Sequence, residues 1–255
     1  MSVWAGLDDE VARWRDAGRE IDLWWRDDDA ADAGPALDRL LQVRHTTAAP
    51  LALAVVPAKA TPALAARLVD EQMVDVLQHG YAHVNHAGAA EKKTELGLQR
   101  PAMVVLGDLG TGWMALERLF GARALAVLVP PWNRIAPGLV PTLPEIGFHG
   151  LSTFGARTRP EPVRGLRQVN THVDLIDWRG GRGFVGAEPA LNALVQALGT
   201  ARIKTGEPVG VLSHHLAMDE GAWDFLRSLM GRARTMSGLE IRPAHEIFAS
   251  REARG

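Results

Sequence analysis

Short apolar runs alternate along this chain with longer amphipathic stretches, the pattern of an α/β protein in which strands and helices take turns. The runs predict strands over 21–25, 51–56, 74–78, 124–129, 148–153, 168–175, 209–213 and 239–242. Between them the sequence predicts helices over 34–45, 61–72, 101–120, 137–146, 188–200, 220–234 and 243–252. Ahead of the first strand, Trp4, Leu7, Val11 and Trp14 form one stripe of a helix running from Ser2, its expected cap, to about Gly18. Thr61-Pro62 is a start signal, a capping hydroxyl followed by proline at the first helical position. Residues 153–165 and 179–183 read as exposed loops, and neither is long enough to divide the chain. One domain over residues 1–255 is expected.

The polar residues matter for where they fall. Asp27–Asp29, His79–His83, Pro130–Arg134, Asp174–Trp178 and His214–His215 each follow one of the apolar runs. In a parallel barrel every strand end opens on the same face, and that face carries the catalytic loops. The pattern therefore predicts a distorted (β/α) barrel of seven or eight strands with its catalytic face at the strand C-termini. Three adjacent carboxylates repel one another, and a bound cation is the usual reason to keep them together. His79 and His83, four apart, can place both rings on one face of a helical turn, as a divalent metal requires of two imidazoles. One aspartate with two histidines leaves open positions for water and substrate, the layout of a hydrolase. Each cluster also has a plainer reading: acids cap turns, histidines pack in cores, and most of the eight tryptophans belong to the interior.

Composition narrows the chemistry. At 255 residues the chain can bury a large core. Its 28 basic and 30 acidic residues nearly balance, so nothing points to capture of nucleic acid or an anionic membrane. The absence of cysteine excludes disulfides and thiolate ligands and leaves any metal to His, Asp and Glu. No stretch approaches the roughly 18 apolar residues of a membrane span, and the N-terminus turns acidic at once, so a cytoplasmic protein is expected. Nothing in the sequence indicates the oligomeric state.

The five polar segments, in this order, resemble the motifs of the polysaccharide deacetylase family, the metal-dependent N-deacetylases of carbohydrate esterase family four and the chitooligosaccharide deacetylase type. The resemblance spans roughly residues 21–216. Arg26-Asp27-Asp28-Asp29-Ala30 stands for the family's strand-end aspartate pair, and His79 and His83 match His-(Ser/Thr)-x-x-His with Gly80 in the hydroxyl position. Pro130-Pro131-Trp132-Asn133 represents the third motif, whose arginine is replaced by Val129. Asp174-Leu175-Ile176-Asp177-Trp178 matches Asp-x-x-Asp-Trp in full, and Leu212-Ser213-His214 matches Leu-x-His. Any one of these is weak, but five in order are specific.

The resemblance implies hydrolysis of the acetamido group of an N-acetylated sugar at a divalent metal, with zinc the expected ion. The aspartates allow two registers, Asp28 with Asp29 or Asp27 with Asp28. In the first, which we adopt, Asp28 is the general base and Asp29, His79 and His83 hold the metal. His214 is the expected acid for the departing amine, with Asp177 as its orienting partner and His215 as its rival. Trp132, Asn133, Arg134, Asp174, Trp178 and Leu212 are expected to bind substrate, Leu212 and Trp178 around the acetyl methyl. Arg26 or Arg134 replaces the missing arginine. Two other readings keep the barrel: hydrolysis of another small C–N bond, such as a cyclic imide or ureide, or sugar binding without turnover.

Overall fold

In the computed structural model, which describes residues 2–249, the apolar runs pair in parallel throughout. The strands are β1 (Ile21–Ala30), β2 (Leu51–Val55), β3 (Val74–His79), β4 (Ala124–Val129), β5 (Gly150–Leu151), β6 (Arg167–Gln168), β7 (Val173–Asp174), β8 (Val209–Ser213) and β9 (Leu239–Ile241). Their order is β6-β5-β4-β3-β2-β1-β8-β7, with β9 paired to the opening residues of β1. The eight-strand path curls through 235° into a half-barrel flanked by helices. Among the described residues no helix is long and apolar enough to cross a membrane.

One expected strand is divided, and the division explains the curl. The apolar run over 168–175 yields β6 and β7, which lie at opposite ends of the sheet order. Residues 169–172 bridge the two edges: Thr171 N–H donates to Thr153 O, and His172 N–H to Gly210 O at 2.7 Å. The crossing passes so close to β8 that a Cβ on Gly210 would sit 2.8 Å from the Thr171 Cα. Only glycine leaves that room.

Alternation along β1 separates two cores. Leu23 and Trp25 face outward and pack with α1 (Ala5–Asp16), α2 (Pro35–Thr47), α5 (Ala187–Thr200) and α6 (Glu220–Thr235). Trp24 faces inward among Ala52, Ala54, Leu77, Val127 and Val129. The inner core is closed by α7 (Ala244–Phe248), whose Phe248 meets Trp24 edge-on with centroids 5.8 Å apart. The remaining helices are α3 (Pro62–Leu68) and α4 (Ala102–Phe120).

Helix starts follow their local chemistry. Thr61 caps α3 as expected, its Oγ1 accepting from Leu64 N at 3.2 Å. Ser2 does not cap α1; its hydroxyl accepts from Trp4 N and the helix opens at Ala5. The helix expected over 137–146 is two 3-10 segments, Pro137–Thr142 and Pro144–Ile146, because three prolines in eight residues remove the donors an α-helix needs. Positions 250–252 of the last expected helix lie outside the described residues.

Candidate active site

The three acids at the end of β1 have three different sets of partners, and strand alternation explains the first two. Asp28 shares the inward face with Trp24 and Arg26. Arg26 is fully buried; its Nε lies 2.8 Å from Asp28 Oδ1 and its Nη2 donates to Asp28 Oδ2 at 3.0 Å. The same guanidinium donates to Asn133 Oδ1 at 2.7 Å and Ser152 Oγ at 2.7 Å, so five-donor geometry is used nearly in full. Asp27 faces outward with Trp25. It accepts from Ser213 Oγ and from His215 Nδ1, both at 2.5 Å, and from His215 N at 3.0 Å. Burial pushes the His215 pKa down, but the charge and hydrogen bond of Asp27 outweigh it and raise it.

Strict alternation would send Asp29 outward as well. Instead its φ is 76° and the pairing of β1 with β2 shifts register between Asp27 and Ala30. This left-handed residue swings the carboxylate toward the strand ends, where Oδ1 lies 3.1 Å from His79 Nε2 and 3.2 Å from His83 Nε2. Such a backbone costs on the order of 1–3 kcal/mol outside glycine, and surrounding contacts must hold it.

His79 closes β3 and is buried. Its Nδ1–H donates to the Val129 carbonyl at 3.0 Å, which turns the Nε2 lone pair toward Asp29. One ligand atom from each of Asp29, His79 and His83 lies within 4.8 Å of the others. A carboxylate and two imidazole nitrogens converging in this way need positive charge between them, a proton or a metal ion, and the donor set suits a divalent ion. Burial pushes the Asp29 pKa up, but the His79 hydrogen bond and the charges of His79, His214 and His83 hold it well below the usual carboxylate range. Burial also pulls His79 down, yet Asp28 and Asp29 outweigh it and raise its pKa; at His83 burial and His79 together lower it.

His83 does not share a helical turn with His79. It sits in a loop at φ 56°, its ring 4.5 Å from that of Trp132. The loop is gathered by Glu95, a buried residue the sequence reading missed, whose carboxylate accepts from Tyr81 N at 3.0 Å and Ala82 N at 2.8 Å. Gly80 takes φ 56°, and a Cβ there would lie 2.1 Å from Glu95 Oε2. A buried acid thus fills the space that a hydroxyl side chain at position 80 would need.

Across the opening, His214 directs Nδ1 toward Asp174 Oδ1 at 3.8 Å, and Trp178 packs edge-on against its ring at 4.8 Å. Trp178 Nε1–H donates to Asp174 Oδ2 at 2.9 Å. Burial raises the Asp174 pKa against the opposing charge of His214. Asp174, not Asp177, is therefore the partner of His214. Asp177, three residues beyond Asp174, caps its own turn, accepting from Arg179 N and Gly180 N at 3.1 and 2.9 Å. Trp178 is not core; it is 44% exposed at the rim. Leu212 is fully buried, aligned in register with Arg26 and Asp174 and so on their face of the sheet. Trp132 and Asn133 both adopt left-handed backbone, at φ 55° and 56°, and aim one ring at His83 and one amide at Arg26. Arg134 points away from Asp28 and donates to Lys93 O at 2.8 Å.

No protein-family model matches the sequence, and no curated protein matches it significantly. Solved structures do match. A Mycobacterium smegmatis protein assigned to the polysaccharide deacetylases aligns over 93% of this chain and 92% of its own, at 17% identity and TM-score 0.70. The fold is that of the polysaccharide deacetylases. The peptidoglycan deacetylase PdaC from Bacillus subtilis aligns over 92% of this chain and 93% of its own, at 13% identity and TM-score 0.58. A family 4 acetyl xylan esterase from Clostridium thermocellum, solved with a cobalt ion, aligns over 89% of each chain at 14% identity and TM-score 0.51. Within this polysaccharide deacetylase fold, Arg26 supplies the guanidinium beside Asp28 from β1 itself, while Val129 occupies the end of β4 as an inner-core residue. Ser152, which anchors that guanidinium, carried no recognisable signal in the sequence.

Proposed function

We propose that this protein is a metal-dependent deacetylase that hydrolyses the acetamido group of an N-acetylated sugar. The observation that carries the reading is the convergence of Asp29, His79 and His83 beside Asp28, a carboxylate whose position Arg26 holds from below. The cobalt ion in the acetyl xylan esterase and the activity named for PdaC support it. Asp29, His79 and His83 hold a divalent metal, with zinc the expected ion, and when bound it supplies Lewis acidity to a water and to the acetyl carbonyl.

Asp28 accepts the proton of the attacking water. Arg26 donates to Oδ2 and sets its Nε against Oδ1, which leaves lone pairs free to do so. His214 gives a proton to the departing amine; with Nδ1 on the Asp174 side, Nε2 is the nitrogen that reaches it. Asp174 orients that ring and balances its charge. Leu212 and Trp178 bound the acetyl methyl, and Trp132 and Asn133 shape the opening beside His83 and Arg26. The presence of a guanidinium at Asp28 favours turnover over a sugar-binding barrel, since a binder has no use for a clamped base.

The test is metal analysis of the purified protein followed by acetate release from N-acetylhexosamines and chitooligosaccharides. Release that a chelator abolishes and added zinc or cobalt restores is expected. Bound metal with no hydrolysis of any N-acyl compound would turn the reading to the binder, and ring opening of a cyclic imide or cleavage of a ureide, with no acetate from any N-acyl sugar, would turn it to the other hydrolase.

A further inference from the structure

A cavity of about 780 Å³ opens beside Asn133, the residue that shares Arg26 with Asp28. Leu151, Thr153 and Gln168, at the ends of β5 and β6, line it together with Thr94, Lys92 and Arg134. Volumes of this order take ligands of drug size, larger than one acetamido sugar. Its lining holds two cations, Lys92 and Arg134, and no carboxylate. Among the described residues neither cation is ion-paired; Arg134 is positioned through Lys93 O. The acids on the neighbouring loops are engaged elsewhere. Glu91 accepts from Gly88 N and Gln99 Nε2, Glu95 from the amides of the His83 loop, and Glu161 from Gly165 N. The lining itself therefore carries positive charge only, and its uncharged polar groups are hydroxyls and amides set among aliphatic side chains such as Leu98, Ile135 and Val140.

We infer that this cavity takes the part of the substrate beyond the acetamido sugar, and that this part carries an anionic group, a phosphate ester or a carboxylate. The identity of the sugar rests on the deacetylase reading; the anion does not. Arg134 offers the planar fork that suits either group, and Lys92 a mobile point charge.

The test is calorimetric binding to the full chain, with and without metal, of N-acetylglucosamine, N-acetylglucosamine 1-phosphate and N-acetylmuramic acid, whose lactyl ether carries a carboxylate. At least one anionic sugar is expected to bind about tenfold more tightly than the neutral one, with the advantage falling as salt rises. Preference for the phosphate or for the carboxylate identifies which group is read. The ratio of anionic to neutral affinity should collapse in Lys92→Gln/Arg134→Gln, and also in Thr158→Glu, which places an acid in the same wall. Equal affinities in the wild type would overturn the inference. So would a preference that survives both variants, or one that vanishes only when metal is removed, since the anion would then sit on the metal. Because binding is read directly, the result stands whether or not acetate is released.

Discussion

Arg26 and Asp28, two apart on β1, meet on its inward face through two contacts, Nε to Oδ1 at 2.8 Å and Nη2 to Oδ2 at 3.0 Å. Both side chains are removed from water. Breaking such a pair from one side leaves a buried charge alone, at a cost of about 3–5 kcal/mol, whereas removing both charges costs much less. Arg26→Gln should therefore lower stability by about 3 kcal/mol or more, and Arg26→Gln/Asp28→Asn should recover part of that loss. Denaturant titration of the four proteins in the cycle checks it. Strictly additive losses would show that the pair is not coupled.

The acids of β1 separate by substitution. Asp29→Asn should lose metal and turnover together. Asp28→Asn should keep the metal and lose turnover, because the amide preserves size but accepts no proton. Asp27→Asn should keep both in part and lose stability, since the amide keeps one acceptor oxygen where His215 and Ser213 use two and removes the charge that faces His215. Metal content, acetate release and melting temperature of the three variants distinguish these outcomes. If Asp27→Asn keeps the metal without turnover and Asp28→Asn is metal-free, the other register is correct.

His214→Ala should lower kcat by about 10²–10⁴-fold with the metal retained, the range for removal of a general acid. A substrate whose leaving group needs no proton, such as 4-nitrophenyl acetate, should be affected less. Asp174→Asn should reproduce a milder form of this loss, and Asp177→Asn should change KM and kcat little while loosening its turn. Comparable loss on both substrates in His214→Ala would assign the histidine to binding rather than proton transfer.

Serine at position 80, the residue type of the resembled motif, should be harmful here. Gly80 has φ 56°, and its Cβ position is filled by Glu95 Oε2 and by Pro131 Cγ, 2.1 and 2.5 Å away. Gly80→Ser should cost about 1–3 kcal/mol from backbone strain, with steric displacement of Glu95 in addition. Because Glu95 gathers the loop bearing His83, Glu95→Gln should weaken metal affinity without altering any ligand. Equilibrium metal titration and thermal melts test both variants; unchanged values for the pair would remove Glu95 from the site's support.

Asp219 supplies a pH dependence. Its carboxylate accepts from Phe184 N at 2.8 Å and, as the cap of α6, from Ala222 N at 2.9 Å. These amides, Phe184 first, hold its pKa below the ordinary value. Folding lowers the pKa, so the stabilisation is present above the unfolded value of about 3.9 and is lost as pH falls through the folded one. Asp219→Ala should cost about 1 kcal/mol at pH 7, and the difference from wild type should shrink below about pH 4. A difference that stays constant from pH 7 to pH 3 would contradict the cap's charge dependence.

The local pattern of the chain was enough to mark the strands of the barrel, the polar groups at their C-terminal ends, and the histidines that gather with an aspartate. Hydrophobic periodicity and strand-end chemistry are short-range properties, so a linear reading recovers them. Which of three adjacent acids meets which partner was decided only in three dimensions. Alternation assigns Asp27 and Asp28 to opposite faces once the inward face is known, but Asp29 escapes it through a left-handed backbone that no composition announces. The partners themselves are remote: Arg26 reaches Ser152 across 126 positions and Asn133 across 107, and Asp27 reaches His215 across 188. The choice of Asp174 over Asp177 turned on the direction in which a loop leaves a two-residue strand. Curling of the sheet sets that direction, and the curl depends on β6 and β7 taking opposite edges, a long-range pairing that the continuous apolar run over 168–175 concealed.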